Sequence, residues 1–248
     1  MAQAIGLDTA HGAVRAVRLQ AVRAYHVGYR PDPWAWTPWE YAGADGRFHG
    51  RWDDPHGTWR SLYLGVSPLA CYLEVLARFR PEPQMAAELA EIVDNDDNDH
   101  LYPTAPAGHL PRSWCGPRLL GSGRVSGVFA VPGHRASLAA LRGRFLPPAR
   151  ALGLADLDGA AIRDSRPRAL TQAIAAWLYA LRTPDGAPLN GIQFESRHGD
   201  GLTLWSVYER DPAAASPPEI EQEAAEPIAP DDPQLLEAMR LHRLSWLP

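Results

Sequence analysis

With 248 residues and a net charge of −5 at pH 7, the chain can bury a sizeable core and lacks the basic surplus typical of nucleic-acid-binding proteins. Hydrophobic residues make up 46% and charged residues 21%, which excludes an intrinsically disordered chain. The cysteines, Cys71 and Cys115, define no disulfide framework, and no apolar run approaches the ~18 residues of a membrane span. We therefore expect a soluble cytoplasmic protein with no membrane association and no direct nucleic-acid binding.

The N-terminal part of the chain carries alanine, valine and leucine with spaced arginines. This pattern predicts a helical N-terminal extension over residues 1–24, followed by a first strand over Ala24–Tyr29. The next segment, Arg30–Tyr41, holds three prolines and three tryptophans and is predicted to be a loop. Its tryptophans either cover a ligand or fasten the loop to the body of the protein.

The most informative stretch comes next and combines a short strand with a buried helix. Ser61–Gly65 is apolar and predicts a strand, after which Ser67 is a good N-cap and Pro68 a good first helical residue. The following helix is apolar on nearly every side, which predicts burial. It nevertheless contains Glu74, and a carboxylate in an apolar helix is costly unless it is paired.

Further along, the pattern predicts a mixture of short strands and helices. The predicted elements are a helix from about Pro83 to Val93, a strand over Arg124–Val131, a short helix over Arg135–Arg142, an amphipathic helix over Pro167–Leu181, and a hairpin of two strands over Gly191–Glu195 and Thr203–Tyr208. Because strands and helices do not alternate regularly, the fold class predicted is α+β.

The C-terminal part differs in composition from the rest. Residues 212–232 are rich in Pro, Ala and Glu and are predicted to be a linker, and residues 233–248 a C-terminal helix. The predicted organisation is thus an extension over residues 1–24, a main domain over residues 25–211, the linker and the terminal helix.

The residues themselves leave more than one interpretation open. Glu74 precedes Arg78 by four positions, so an ordinary helical ion pair would explain it. An alternative is a catalytic carboxylate, with arginines of the neighbouring sequence (Arg47, Arg51 and Arg60) available to bind phosphate groups. A metal site is not predicted, because His49, Asp53, Asp54 and His56 fit no standard ligand spacing.

Two blocks of the sequence resemble the RES domain family, which is named for an arginine, a glutamate and a serine. The first block reads Gly50-Arg51-Trp52, Leu62-Tyr63-Leu64-Gly65, Ser67-Pro68, Ala70 and Glu74. The second block reads Thr171-Gln172-Ala173-Ile174 and Gly191-Ile192-Gln193-Phe194-Glu195-Ser196-Arg197. The resemblance runs from about Tyr25 to Glu209, so residues 25–211 are predicted to be a RES-like NAD-binding domain.

The resemblance implies an ADP-ribosyltransferase-like fold of mixed short sheets with flanking helices, and NAD as the substrate. Members of the family cleave the nicotinamide–ribose bond with water or phosphate as acceptor, and are commonly neutralised by a small helix-turn-helix antitoxin. Relatives transfer ADP-ribose to a protein instead, and a degenerate domain that only binds a nucleotide or partner is a third alternative. A homodimer is left open, and no metal is implied.

The resemblance also assigns roles to individual residues. It implies catalytic roles for Arg51, Tyr63, Glu74 and Ser196: Arg51 would hold the diphosphate or ribose, Tyr63 would position the nicotinamide, and Glu74 would be the key carboxylate. It further implies NAD contacts for His26, Arg30, Trp52 and Thr171. Thr171 is the alternative to Ser196 as the family serine.

One position departs from the family pattern. The family has an aromatic residue followed by Arg, whereas here Tyr25 is followed by His26. Either His26 takes the place of that arginine or Arg30 supplies it. A neutral imidazole is a poorer phosphate ligand than a guanidinium.

Overall fold

The structure is a computed structural model that describes residues 3–81, 106–164 and 166–247. The predicted helix near residues 83–93 lies outside the described residues. The described strands are β1 (Gln3–Thr9), β2 (Gly12–Tyr29), β3 (Ser61–Gly65), β4 (His109–Leu110), β5 (Arg118–Ala130), β6 (Gly191–Glu195), β7 (Thr203–Tyr208), β8 (Ile220–Pro227) and β9 (Ser245–Trp246). The described α-helices are α1 (Pro68–Leu76), α2 (Arg135–Ala151), α3 (Gly159–Arg163), α4 (Arg168–Ala180) and α5 (Pro233–His242). Short 3₁₀ turns cover Trp39–Tyr41, Ala77–Phe79 and Arg112–Trp114.

The main sheet closes on itself. Its strands follow the order β1-β2-β3-β7-β6-β5-β8, and β2 also pairs with β5, so β2, β3, β7, β6 and β5 form a ring. The long strand β2 makes this possible because its first half pairs with β1 and its second half reaches β3, where Tyr25 lies opposite Gly65. A register shift between Leu19 and Val22, with Ala21 at φ 50°, bends β2 between the two halves.

Helices cover the sheet in two groups, which confirms the predicted α+β class. Helices α2 and α4 pack on one side of the sheet through apolar residues such as Leu141, Phe145 and Ile174. Helices α1 and α5 pack against each other in a separate cluster that includes Leu76 and Leu235. No helix in the described ranges is long and apolar enough to cross a membrane.

The predicted N-terminal helix is wrong, because residues 3–9 and 12–29 form β1 and β2. The connection is a tight hairpin in which Gly12 has φ 115° and the Thr9 hydroxyl donates to its carbonyl at 2.7 Å. Val14 and Ala16, two positions apart, are fully buried against the helices. The arginines between the apolar residues therefore reflect the two-residue period of a strand that has one solvent-exposed face.

The predicted linker is also wrong in part, because Ile220–Pro227 forms β8, which pairs antiparallel with β5. Nearly all of β8 is exposed, so its composition resembles that of an unstructured segment although its backbone is paired. Ile220 and Ile228, at its two ends, are buried and fasten the strand. The predicted C-terminal helix is confirmed as α5, which ends at His242 and is followed by β9.

Other elements agree closely with the sequence pattern. The predicted β3 and the hairpin strands β6 and β7 have the bounds expected, and α4 differs from the predicted helix by one residue at each end. The short helix predicted from Arg135 is longer than expected, reaching Ala151.

Candidate active site

The candidate site is a cavity of about 620 Å³ between α1, β3, the segment before α4 and the end of β6. This volume lies within the roughly 300–1,000 Å³ typical of small-molecule sites. Four residues predicted to act on NAD line the cavity: His26, Arg51, Tyr63 and Glu74.

Helix α1 positions Glu74. The helix begins as predicted, with the Ser67 hydroxyl accepting a hydrogen bond from Ala70 N at 3.2 Å and Pro68 in the first turn. Its core-facing side chains, including Tyr72 and Leu73, are buried, whereas Glu74 is half-buried and lines the cavity. The burial of the rest of the helix therefore fixes the direction of its carboxylate.

Ser196 holds the Glu74 carboxylate from the opposite side. Its hydroxyl donates to Glu74 Oε1 at 2.6 Å and accepts from the backbone N–H of His198 at 3.0 Å. Only 1% of Ser196 is exposed. Within the described residues Glu74 forms no ion pair, and the predicted helical pair with Arg78 is absent there.

Arg51 presents a buried cation. The residue is 7% exposed, and its Nε and Nη1 atoms are buried with no hydrogen-bond partner among the described residues. Its guanidinium carbon lies 5.7 Å from the centre of the Phe194 ring. Burial lowers the pKa of Arg51, and while nearby Glu74 opposes this effect, Arg168 adds to it. A buried, unpaired guanidinium is costly, and a ligand anion would satisfy it.

Tyr63 lines the same cavity, but its hydroxyl is committed to the protein. It donates to Asp53 Oδ1 at 2.8 Å and accepts from the backbone N–H of Trp52 at 2.9 Å. The Tyr63 ring meets Phe194 edge to face, with centres 6.4 Å apart. Together the two rings supply an aromatic surface beside Arg51.

His26 is a neutral ring in this site. Burial lowers the pKa of His26 from 6.5 to about 4, and its Nδ1 lies 2.7 Å from the carbonyl oxygen of Tyr63. Because a carbonyl only accepts, Nδ1 carries the proton and Nε2 is left as an acceptor. His26 therefore suits a donor group on a ligand and does not replace an arginine as a phosphate ligand.

The lowered pKa of His26 predicts a loss of stability in acid. Between pH 6.5 and pH 4 the unfolded chain binds a proton on His26 that the folded chain does not, so stability rises with pH across this window. We expect about 2 kcal/mol to be lost between pH 7 and pH 4.5 through this residue. Urea unfolding at both pH values measures it.

The control is His26→Asn, whose amide can still donate to the Tyr63 carbonyl but does not titrate. Burial also lowers the pKa of His198 to about 4, and that contribution remains in the variant. The pH dependence of the variant should be smaller than that of the wild type. Equal slopes would show that His26 is not the group responsible.

Three predicted contacts lie away from the cavity. Arg30 is exposed and donates from Nε to the Gly116 carbonyl at 2.9 Å. Trp52 is fully buried in the core beside Phe194. Thr171 is 2% exposed, and its hydroxyl bonds the Arg168 carbonyl of its own helix at 3.1 Å. The two hydroxyls thus have different surroundings, because Ser196 contacts Glu74 whereas the Thr171 hydroxyl bonds within its own helix.

Most of the cationic lining is not evident in the sequence. Besides Arg51, the cavity is lined by Arg78, Arg80, Arg166, Arg168 and Arg197, together with His198. These arginines come from three distant parts of the chain, and only the fold brings them together. A local indication is the pair Arg166 and Arg168 on either side of Pro167, at the start of α4.

A second cavity of about 850 Å³ adjoins the first. The two share four lining residues: Arg80, Phe194, Arg197 and His198. A ligand longer than the first cavity can therefore continue into the second. The loop tryptophans Trp34 and Trp36 lie in the core at 1% and 4% exposure and line neither cavity, so they fasten the loop to the body.

Comparisons with known proteins add little to this geometry. No family model matches the chain, and no curated protein matches it. Among solved structures, the chain is similar to one in the crystal structure of the M. tuberculosis MbcT–MbcA toxin–antitoxin complex. The identity is 15% and the TM-score 0.47, over 94% of this chain and 93% of that chain. A likeness at this level does not define a family or an activity.

Proposed function

We propose that this protein consumes NAD by cleaving the nicotinamide–ribose bond, with water or phosphate as the acceptor. The observation that carries the proposal is that Glu74, held by Ser196, lines one cavity with Arg51, whose Nε and Nη1 have no hydrogen-bond partner in the part of the chain that the structure describes. Glu74 and Arg51 both belong to the first block of sequence that resembles the RES family.

The carboxylate suits the electronic demand of this reaction. When the bond between ribose C1′ and the nicotinamide nitrogen breaks, its electron pair goes to the pyridinium ring, which leaves as neutral nicotinamide. Positive charge then develops on the ribose, as in glycoside hydrolysis. An anion fixed beside that charge lowers the barrier, and no general acid is needed for the leaving group. Glu74 is the carboxylate available for this role.

The cations suit the other half of the substrate. A diphosphate carries negative charges that guanidinium groups bind with two parallel hydrogen bonds. Arg51 lines the cavity together with five further arginines, and two of its guanidinium nitrogens have no hydrogen-bond partner in the described part of the chain. The adjoining cavities offer a dinucleotide space to extend from one to the other.

Nicotinamide release from NAD by the purified protein tests the proposal. The assay is run with and without inorganic phosphate, and the sugar product separates the acceptors: free ADP-ribose indicates water, and a phosphorylated ADP-ribose indicates phosphate. Labelled NAD that marks a protein would indicate ADP-ribosylation instead. NAD binding by calorimetry without any turnover would indicate a degenerate domain, and neither binding nor release would overturn the proposal.

We further propose that the activity is that of a toxin with a small helix-turn-helix antitoxin, an idea that rests on the sequence resemblance alone. Induced expression in a bacterial host should stop growth and lower cellular NAD. The Glu74→Gln variant should do neither. Growth arrest by both proteins to the same extent would separate any toxicity from NAD cleavage.

A further inference from the structure

We infer that Asp53 and Tyr63 act together as positioning residues that hold the backbone on both sides of Arg51. The part of this inference that concerns NAD rests on the proposed function. The segment concerned, residues 48–53, is called the Arg51 loop here; it contains no helix or strand.

Two side chains fasten the Arg51 loop at the residues next to Arg51. The Asp53 carboxylate accepts a hydrogen bond from the backbone N–H of Gly50 through Oδ2 and one from the Tyr63 hydroxyl through Oδ1. The same hydroxyl accepts from the backbone N–H of Trp52. The backbone N–H groups of Gly50 and Trp52, the residues on either side of Arg51, are therefore both tied to strand β3, on which Tyr63 lies.

A third contact comes from helix α4. Gln172 is 5% exposed, and its amide nitrogen donates to the carbonyl oxygens of Phe48 at 3.3 Å and Gly50 at 3.1 Å. The packing around Gly50 leaves no room for a side chain, because a Cβ there would lie 2.5 Å from Asp53 Oδ2 and 2.6 Å from the Tyr63 hydroxyl oxygen. The Arg51 loop is thus held from two sides at close range.

This arrangement matters because, within the described ranges, Nε and Nη1 of Arg51 have no hydrogen-bond partner. The position of the cation is therefore set mainly by its backbone, by packing on Phe194 and by the attraction of Glu74. A binding group that is held in place by its supporting residues avoids the cost of ordering it when the ligand arrives. The hydroxyl of Tyr63 therefore acts on a ligand through Arg51.

A double-mutant cycle tests the inference, with ADP-ribose as the probe because it retains the diphosphate and cannot be turned over by loss of nicotinamide. Tyr63→Phe keeps the ring in the cavity and removes both hydrogen bonds of the hydroxyl. We expect Tyr63→Phe to raise the Kd for ADP-ribose about tenfold, as measured by calorimetry. The same change made in the Arg51→Ala protein should raise the Kd less than about twofold. Equal losses in the two backgrounds, or no loss in the wild type, would overturn the inference.

The matched control is Tyr179→Phe, which removes a different tyrosine hydroxyl, one that donates to the Glu209 carbonyl at 3.2 Å. It should leave the Kd for ADP-ribose unchanged. If Tyr63→Phe does not fold, Asp53→Asn takes its place in the cycle. Asparagine has an NH2 group in place of one of the two carboxylate oxygens that accept from Gly50 and Tyr63, so one of these bonds is lost, and the variant should show the same dependence on Arg51.

Failure of the proposed function is told apart by hydrogen exchange on the ligand-free protein. If the wild type neither binds ADP-ribose nor releases nicotinamide from NAD, the proposed function fails, and the amide of Trp52 alone decides the inference. That amide should exchange at least tenfold faster in Tyr63→Phe than in the wild type, while the amides of β3 keep their rates. Equal rates for Trp52 in both proteins would overturn the inference.

Discussion

Glu74→Gln is expected to lower kcat for nicotinamide release about 10²–10³-fold while leaving KM for NAD within a few fold. The substitution replaces one carboxylate oxygen by an NH2 group and removes the negative charge. In this structure the Ser196 hydroxyl lies 2.6 Å from Glu74 Oε1. The remaining oxygen of the glutamine can still accept that hydrogen bond, so the geometry of the site is retained. The loss therefore reports on the charge and not on the position of the side chain.

The split between kcat and KM is what makes this result specific. Positive charge on the ribose exists in the transition state and not in bound NAD, so a carboxylate that stabilises it contributes little to substrate binding. Glu221→Gln is a suitable control, because Glu221 is an exposed carboxylate on β8 that lines neither cavity. A rise in KM with unchanged kcat would instead make Glu74 a binding group.

Removal of the Ser196 hydroxyl should also lower kcat, but by less than Glu74→Gln does. Its hydroxyl touches the carboxylate and the backbone of the following turn, so it orients Glu74. Geometry of this kind is not visible in a single sequence, which favoured Ser196 and left Thr171 as the alternative.

The fold could be predicted where local chemistry decides it. The turn from β3 into α1 depends on Ser67, Pro68 and an apolar run, all within a few residues of one another. The β6–β7 hairpin is similarly local. In both places the predicted bounds agree with the structure, because no distant partner is needed to choose between helix and strand.

The errors occur where a distant strand decides the structure. Strand β8 is almost entirely exposed, and its pairing with β5 supplies backbone hydrogen bonds that leave no trace in side-chain composition. Strand β2 bends at Ala21 and changes partner, so its burial does not follow one simple alternation. Such strands resemble a linker or a helix until their neighbours are known.

The residues of the site also fall into a local group that the sequence identifies and a distant group that only the fold brings together. Arg51, Tyr63 and Glu74 come from one continuous stretch and could be selected from the sequence because they belong to a recognisable block. Arg168 and Arg197 reach the same cavity from α4 and from the turn after β6, far from that stretch along the chain. Their convergence is a property of the closed sheet.

Arg51→Met is expected to stabilise the ligand-free protein by about 1–3 kcal/mol and to weaken NAD binding about 10²-fold. The stability gain follows from the burial of a cation without a hydrogen-bond partner on two of its nitrogens. A methionine of similar reach fills the space and has no charge to desolvate. The contact with Phe194, 5.7 Å from the guanidinium carbon, is worth about 0.5–1 kcal/mol and does not offset that cost.

Opposite signs for stability and binding would identify Arg51 as a residue retained for its ligand. Urea unfolding measures the first quantity and calorimetry the second. The control is Arg124→Met: Arg124 is an exposed arginine on β5 whose Nε lies 2.7 Å from Glu223, and its loss should change stability by less than about 1 kcal/mol and leave NAD binding unaffected. A destabilised Arg51→Met protein would mean that the guanidinium supports the fold itself. A stabilised protein that still binds NAD with wild-type affinity would mean that the other arginines of the cavity bind the diphosphate.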